Sequence, residues 1–179
     1  MSQLKMHFSA ARIAATPAPV VPAGFQLRSY RPNEDDEGYI RLMHSAGFTS
    51  WSVESIQRTR ARALPEGLFF LVDERTGTLA CTAVANRAGI PGYSDGGEFG
   101  WLATAPEFRG RGLSRVIHDA VVRRYRQEGY QNLYLLTDDF RLPALKLYLG
   151  KGWEPIVCDD DAQARWAAVR ERLSEGQGE

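Results

Sequence analysis

The run Arg109-Gly110-Arg111-Gly112-Leu113-Ser114 combines backbone freedom, positive charge and a small hydroxyl side chain. It lies between an apolar, strand-like segment, residues 99–104, and a segment from Leu113 onward with helical spacing of its apolar residues. The first N–H groups of a helix have no intrahelical partner and lie at the positive end of the helix dipole. A glycine-rich turn at a helix start therefore predicts an anion site at residues 109–114.

Other catalytic patterns are absent from the sequence. His7, His44 and His118 are scattered and no His-Glu-x-x-His run occurs, so we expect no metal site. Ser114 lacks the second glycine of a nucleophile elbow, so a catalytic triad is not supported. Neither Gly-x-Gly-x-x-Gly nor Gly-x-x-x-x-Gly-Lys-Ser/Thr is present, and nucleotide binding is therefore the weaker interpretation of the turn.

Composition bounds the class of protein. The chain has 179 residues, of which 44% are hydrophobic and 25% charged, as expected for one globular domain. Lys+Arg and Asp+Glu are both 22, so net charge predicts neither a nucleic acid nor a membrane partner. Cys81 and Cys158 occupy apolar, strand-like contexts that favour reduced, buried thiols, and we therefore expect a cytoplasmic protein.

The elements that must position the turn can be read from hydrophobic periodicity. Residues 1–24 are rich in Ala and Pro in their second half and are interpreted as an extended or mobile lead-in to a single domain at 25–179. Residues 86–97 form a glycine-rich loop that could cover a site. The predicted order is strand 25–30, helices from 34 and 52, strands 68–72, 79–85 and 98–104, helix from 113, strand 133–137, helix 142–149, strand 153–158 and C-terminal helix about 164–173.

This order, with the turn before the third helix, resembles the GCN5-related N-acetyltransferase (GNAT) superfamily over about residues 25–158. The family's Arg/Gln-x-x-Gly-x-Gly/Ala loop matches residues 109–114, with Ser114 in place of the last small residue. The resemblance implies an α/β (α+β) fold with a mixed, mostly antiparallel central sheet flanked by helices. It also implies that the sheet splays between the strands near 98–104 and 132–137.

The same resemblance implies acetyl-CoA as co-substrate, without a metal. Its pyrophosphate would bind the backbone amides of Gly110, Gly112, Leu113 and Ser114. Three arginines, Arg109, Arg111 and Arg115, could add positive charge for the phosphates; the alternative is that each is a solvated side chain near the site. The pantetheine arm would pair with the backbone of the strand before the loop, at Leu102, Ala103 and Thr104.

A second family motif, Asn-x-x-Ala-x-x-hydrophobic-Tyr followed by a Gly-aromatic pair, matches Ala144, Leu147, Tyr148, Gly152 and Trp153. The motif's Asn is replaced by Arg141, so the resemblance leaves open the pantetheine hydrogen bond that this Asn often makes in the family. The resemblance implies that Ala144 lies at the acyl-CoA site and that Tyr148 protonates the CoA thiolate; the alternative is a tyrosine that only packs.

An amine must lose a proton to attack a thioester, and carboxylates are the candidate bases. The family glutamate that serves as base in some members corresponds to Glu98; the alternative is a strand-edge carboxylate that faces water. Asp138 and Asp139 could bind a cationic substrate or cap the next helix.

Taken together, the resemblance implies an N-acetyltransferase that moves an acetyl or other acyl group from acyl-CoA to an amine by direct attack in a ternary complex. The alternative is a non-catalytic, regulatory acyl-CoA-binding module. The acceptor, a small-molecule or peptide amine, stays open, and so does a homodimer.

Overall fold

The computed structural model describes residues 3–175. Within this range no helix is both long and apolar enough to cross a membrane. The elements are β1 (Leu4–Ser9), α1 (Ala10–Ala15), β2 (Phe25–Ser29), α2 (Asp36–Ser45), α3 (Val53–Arg62), β3 (Ala63–Asp73), β4 (Leu79–Asn86), β5 (Gly97–Thr104), a 3₁₀ turn (Pro106–Phe108), α4 (Leu113–Gln127), β6 (Asn132–Thr137), α5 (Leu142–Lys151), β7 (Glu154–Ile156) and α6 (Asp160–Glu175).

The strands form one seven-stranded sheet in the order β2-β3-β4-β5-β6-β1-β7. All neighbouring pairs are antiparallel except β5 and β6, which are parallel. Successive side chains of β5 point to opposite faces: Glu98 contacts Arg62 of α3, whereas Phe99 packs on His118 of α4. Helices α3 and α4 therefore cover opposite faces, and the predicted mixed sheet flanked by helices is confirmed.

Strands β5 and β6 pair only near their beginnings and diverge beyond that point. Their only paired residues are Gly97 with Leu133 and Glu98 with Tyr134. On its other side β5 carries one extra residue relative to β4, since Thr82 pairs with Ala103 but Val84 pairs with Gly100. The extra residue is a β-bulge, which bends the strand and increases its twist. The predicted splay between these two strands is thus confirmed.

The beginning of the chain differs from the prediction. Residues 4–15 are not a lead-in: β1 lies inside the sheet, hydrogen-bonded to β6 on one side and β7 on the other. The prediction of an extended or mobile segment over 1–24 is therefore wrong for residues 4–15. The reason is the alternation of Leu4, Met6 and Phe8, which are all buried, with half-buried polar residues. That alternation is a strand signal that the Ala- and Pro-rich stretch behind it obscured.

The two cysteines differ in their surroundings. Cys81 is fully buried in β4, as predicted, but Cys158 is exposed, and both are free thiols. Since the edge strand β7 already ends at Ile156, Cys158 lies beyond the sheet. The prediction of a buried thiol is wrong at that position.

Candidate active site

A cleft of about 630 Å³ opens where β5 and β6 part. Its walls come from β5, from the loop before α4, from α5, and from the connections α2–α3 and β6–α5. Eleven of the thirteen residues predicted for the site line it: Glu98, Leu102, Ala103, Thr104, Arg109, Gly110, Gly112, Leu113, Ser114, Ala144 and Tyr148. The two others, Arg111 and Arg115, are exposed at the surface and do not line the cleft.

The glycine-rich loop, residues 109–114, leads into α4 with two residues in the left-handed region. Gly110 has φ = 74° and Gly112, which caps the helix, has φ = 75°. No atom lies within 4 Å of a Cβ built on either residue, so backbone conformation and not space requires glycine there. The turn brings backbone amides and the free N–H groups of the first turn of α4 to the cleft, where they can bind an anion.

The arginines of this loop differ in position. Arg109 lines the cleft, so its guanidinium can approach a bound phosphate. Arg111 instead stacks over the ring of Phe108, with 5.4 Å from its Cζ to the ring centroid. Phe108 is buried and packs edge-to-face on Phe25. This contact helps to hold the turn before α4.

One edge of β5 has no strand partner where it faces the cleft. Pairing with β6 ends at Glu98, so residues 99–104 expose their β6-facing edge to the cleft. An extended ligand can bind such an edge as an added strand. At the bulge, Trp101 has φ = 52°, an unusual conformation for a bulky residue that tends to occur at functional sites.

Tyr148 of α5 lies with its ring buried and its side chain on the cleft. Within residues 3–175 its hydroxyl has no hydrogen-bond partner, and it is therefore free to bond to a ligand. Burial raises the pKa of Tyr148 well above the ordinary value, partly offset by the nearby charge of Arg141. The phenol keeps its proton at neutral pH, as a general acid must.

A buried hydrogen-bond network attaches the end of α5 to α4. The indole N–H of Trp153 donates to Nε2 of His118 over 2.9 Å, and Nδ1 of His118 lies 2.9 Å from Asp119 Oδ1. The Lys151 ammonium donates to both oxygens of Asp119 at 2.7 Å. Burial lowers the pKa of His118, so a neutral ring with its proton on Nδ1 satisfies both neighbours. The network holds α5, and with it Tyr148, against α4.

Glu98 lies at the start of the splay and also lines the cleft. Its Oε2 accepts a hydrogen bond from Arg62 at 2.6 Å and one from Asn86 at 3.3 Å. Burial raises the pKa of Glu98, while the positive charge of Arg62 lowers it in part. The side chain is only 15% exposed, so Glu98 is not simply a carboxylate that faces water.

The two aspartates after β6 are each bound to an arginine. Asp138 accepts from Nε of Arg141 at 3.1 Å and from Gln3 at 3.2 Å. Asp139 accepts from Nε of Arg165 at 2.8 Å. Neither carboxylate caps α5, which has no side-chain cap. The prediction of a helix cap is therefore wrong for both residues, and each carboxylate is in an ion pair with an arginine.

Sequence reasoning missed the aromatic part of the lining. Phe48 from the α2–α3 connection, Trp101 from β5 and Phe140 from the β6–α5 connection all line the cleft. These residues are far apart in the sequence and follow no local motif, so only the fold brings them together. Residues 86–97, the loop that could cover a site, contribute no residue to the lining of this cleft. That loop is tied back to β6 through Asp95.

A mixed sheet that splays between two parallel strands, with a glycine-rich anion loop at the start of the following helix, defines the class of fold. The model of the Acetyltransferase (GNAT) family matches residues 32–152. Because this match covers more than half of the chain, the chain belongs to the GNAT acetyltransferase family.

Curated relatives agree with this assignment. A mycothiol acetyltransferase of Thermobispora bispora is 29% identical over 151 residues, 80% of this chain and 51% of that protein. Another, from Rhodococcus jostii, is 31% identical over 158 residues, 82% of this chain and 51% of that protein. The chain thus spans about half the length of these relatives.

Solved structures show the same fold. A GCN5-related N-acetyltransferase from Sphaerobacter thermophilus superimposes with a TM-score of 0.66 at 20% identity. The match covers 87% of this chain and 50% of that one. At this identity the likeness supports the fold and carries no further argument about substrate.

Proposed function

We propose that this protein is an N-acetyltransferase that moves the acetyl group of acetyl-CoA to an amine. The observation that carries the proposal is one cleft that joins three features. They are the glycine-rich loop before α4, in which Gly110 and Gly112 have left-handed backbone conformations, the unpaired edge of β5, and the Tyr148 hydroxyl, which no described residue binds. These features match, in order, the diphosphate, the amide-containing arm and the thiol end of CoA.

The donor would be held mainly by backbone groups. The amides of residues 110–114 bind the pyrophosphate, and Arg109 adds positive charge. The edge of β5 at Leu102, Ala103 and Thr104 pairs with the amides of the pantetheine arm. Ala144 lines the cleft at the start of α5, where a small side chain leaves room for that arm. Arg111 and Arg115 act at most through long-range charge, since neither lines the cleft.

Transfer requires one proton to leave the amine and one to reach the leaving sulfur. The amine nitrogen bonds to the thioester carbon, and the carbon–sulfur bond breaks to release CoA. Glu98 takes the amine proton directly or through water, and Tyr148 gives its proton to the thiolate. The raised pKa of Glu98 makes its carboxylate a stronger base. The raised pKa of Tyr148 keeps the phenol protonated at neutral pH, and it also makes the phenol a weaker acid, so the role of Tyr148 rests on its position and not on this shift.

The acceptor is a small-molecule or peptide amine. The name mycothiol acetyltransferase belongs to relatives of which this chain matches only half, so we do not carry their acceptor over. The fold and family are compatible with either acceptor class. The residues that line the cleft are the better guide to the chemistry of the acceptor.

Thermal shift with acetyl-CoA, followed by thiol release over an amine library, tests the proposal. A ligand that binds only the native state must raise its melting temperature, by an amount that grows with concentration. We expect stabilisation by acetyl-CoA together with amine-dependent release of CoA. Absence of stabilisation at saturating acetyl-CoA would contradict the proposal, and stabilisation without thiol release over the whole library would favour a non-catalytic acyl-CoA-binding module instead.

A further inference from the structure

Three aromatic side chains from separate elements of the fold line the part of the cleft that the glycine loop does not form. They are Phe48, Trp101 and Phe140. The rings of Phe48 and Trp101 pack edge-to-face with their centroids 5.7 Å apart. Trp101 is 39% exposed and Phe140 is 67% exposed. Large apolar rings left in contact with solvent at a concave surface are a common mark of a ligand site.

Arg141 joins the two sides of this aromatic region. Its Cζ lies 4.2 Å from the ring centroid of Phe48 and 5.2 Å from that of Phe140. A guanidinium stacked on an aromatic ring adds a flat surface to the wall.

The carboxylates at this part of the cleft are each paired with an arginine. The two carboxylates among the described lining residues are Glu98 and Asp138. Glu98 is bound by Arg62 at 2.6 Å, and Asp138 by Arg141 at 3.1 Å. A polycationic acceptor therefore finds no unpaired carboxylate among the lining residues, whereas an apolar group finds three rings to pack on.

We propose that the acceptor is a monoamine carried on an aromatic or similarly large apolar group. That group packs on Phe48, Trp101 and Phe140, and its amine is directed toward Glu98. Burial of the apolar group drives binding, and a second positive charge finds no carboxylate in the lining that lacks an arginine partner. That the bound amine is an acetyl acceptor rests on the proposed N-acetyl transfer. Binding of the amine can be measured without turnover.

Binding of phenethylamine, in the presence of CoA, is the first measurement. Trp101 lies in the proposed wall, so bound phenethylamine should change the tryptophan fluorescence, and Trp101→Phe should remove most of that change. Spermidine, a polycation without an aromatic group, should bind at least 10-fold more weakly. Equal or tighter binding of spermidine, or no binding of phenethylamine, would overturn the inference.

Kinetics with matched amines give the second measurement. We expect kcat/KM for phenethylamine to exceed that for ethylamine by at least 10-fold, and Phe48→Ala and Phe140→Ala each to reduce that ratio through a higher KM. The control is Val157→Ala, which removes an exposed apolar side chain that does not line the cleft and should leave the ratio unchanged. A ratio that stays the same in Phe48→Ala and Phe140→Ala would contradict the aromatic wall.

The two proposals can fail separately. Stabilisation by acetyl-CoA with a preference for spermidine would uphold acetyl transfer and overturn the aromatic acceptor. Phenethylamine binding that depends on Trp101, without stabilisation by acetyl-CoA, would uphold the aromatic binding site and contradict acetyl transfer from acetyl-CoA.

Discussion

At the scale of single residues, Tyr148 combines a buried ring with a hydroxyl that no other described residue binds. Its ring packs edge-to-face on Phe99, with the centroids 5.9 Å apart, so the ring is fixed by packing and not by its hydroxyl. A tyrosine that served only to pack could lose this hydroxyl without consequence. The role of Tyr148 can therefore be separated from its structural contribution by removing the oxygen alone.

Tyr148→Phe keeps the ring and removes the proton donor. We expect kcat to fall by about 100-fold or more, in the range usual for loss of a general acid, while the melting temperature and acetyl-CoA binding stay unchanged. Thiol release measured under saturating acetyl-CoA checks this. Full activity in Tyr148→Phe would return the residue to the role of a packing tyrosine.

The acidic limb of the pH–rate profile tests Glu98. A carboxylate acts as base only when deprotonated, so kcat/KM should fall as the pH drops through the pKa of Glu98, which burial places above the ordinary carboxylate value. Arg62→Gln removes the positive charge that lowers this pKa and should move the limb to higher pH. Glu98→Gln should lower kcat/KM by about 100-fold and abolish the limb.

The matched control is Arg60→Gln, which removes an arginine of the same helix that stacks on Tyr30 instead of contacting Glu98. Its limb should coincide with that of the unaltered protein. A limb that does not respond to Arg62→Gln would show that another group titrates in this range.

At the scale of elements, the turn between β5 and α4 depends on glycine for its backbone shape. Both Gly110 and Gly112 are left-handed, and a side chain at either position would meet no atom but would carry a conformational penalty of about 1 kcal/mol or more. The loop can relieve this strain only by changing shape, which would turn amides away from the phosphate.

Gly112→Ala should weaken acetyl-CoA binding about 10-fold or more, because the strain falls on the backbone that we propose to bind the pyrophosphate. Calorimetry or thermal shift over a range of acetyl-CoA concentrations measures this. Gly150→Ala is the control: Gly150 lies within α5, has open space around its Cβ position and is not left-handed, so alanine there should be neutral or slightly stabilising. Equal acetyl-CoA affinities in the two variants would contradict the proposed role of the loop.

At the scale of the whole molecule, β1 links the two ends of the chain. It is hydrogen-bonded along its length to β6 and also to β7, so the sheet on this side is assembled from the first and last strands together. Phe8 packs on the ring of Trp153 with 4.9 Å between centroids, next to the His118 network that holds α5. The start of the chain therefore supports the helix that carries Tyr148.

Phe8→Ala should lower the free energy of unfolding by about 3–5 kcal/mol, as expected for removal of a fully packed aromatic side chain from a core. Urea unfolding measures the loss. Val20→Ala, at a residue that is 82% exposed, should change stability by no more than about 0.5 kcal/mol. A small effect of Phe8→Ala would mean that the start of the chain is a dispensable lead-in after all.

Local features could be predicted from the sequence. Helix α4, its glycine-rich start and the strand before it follow from hydrophobic spacing and from the conformational freedom of glycine, which act within a few residues. The spacing that places Tyr148 within α5 and Trp153 just after its end is also a local feature of the sequence. Features of this kind predict the elements around the glycine-rich turn, and the family motifs built on them imply the fold.

The remaining features depend on contacts between distant parts of the chain. The insertion of β1 between β6 and β7 depends on which strand edges are free once the sheet has formed. The convergence of Phe48, Trp101 and Phe140, and the pairing of Glu98 with Arg62, depend on how two connections, strand β5 and helix α3 come together in space. The sequence by itself therefore determined the glycine-rich turn, the helix that follows it and the motifs that carry the family resemblance. Only the tertiary structure decided the aromatic, charge-paired lining of the cleft, because long-range packing and not local propensity places those side chains.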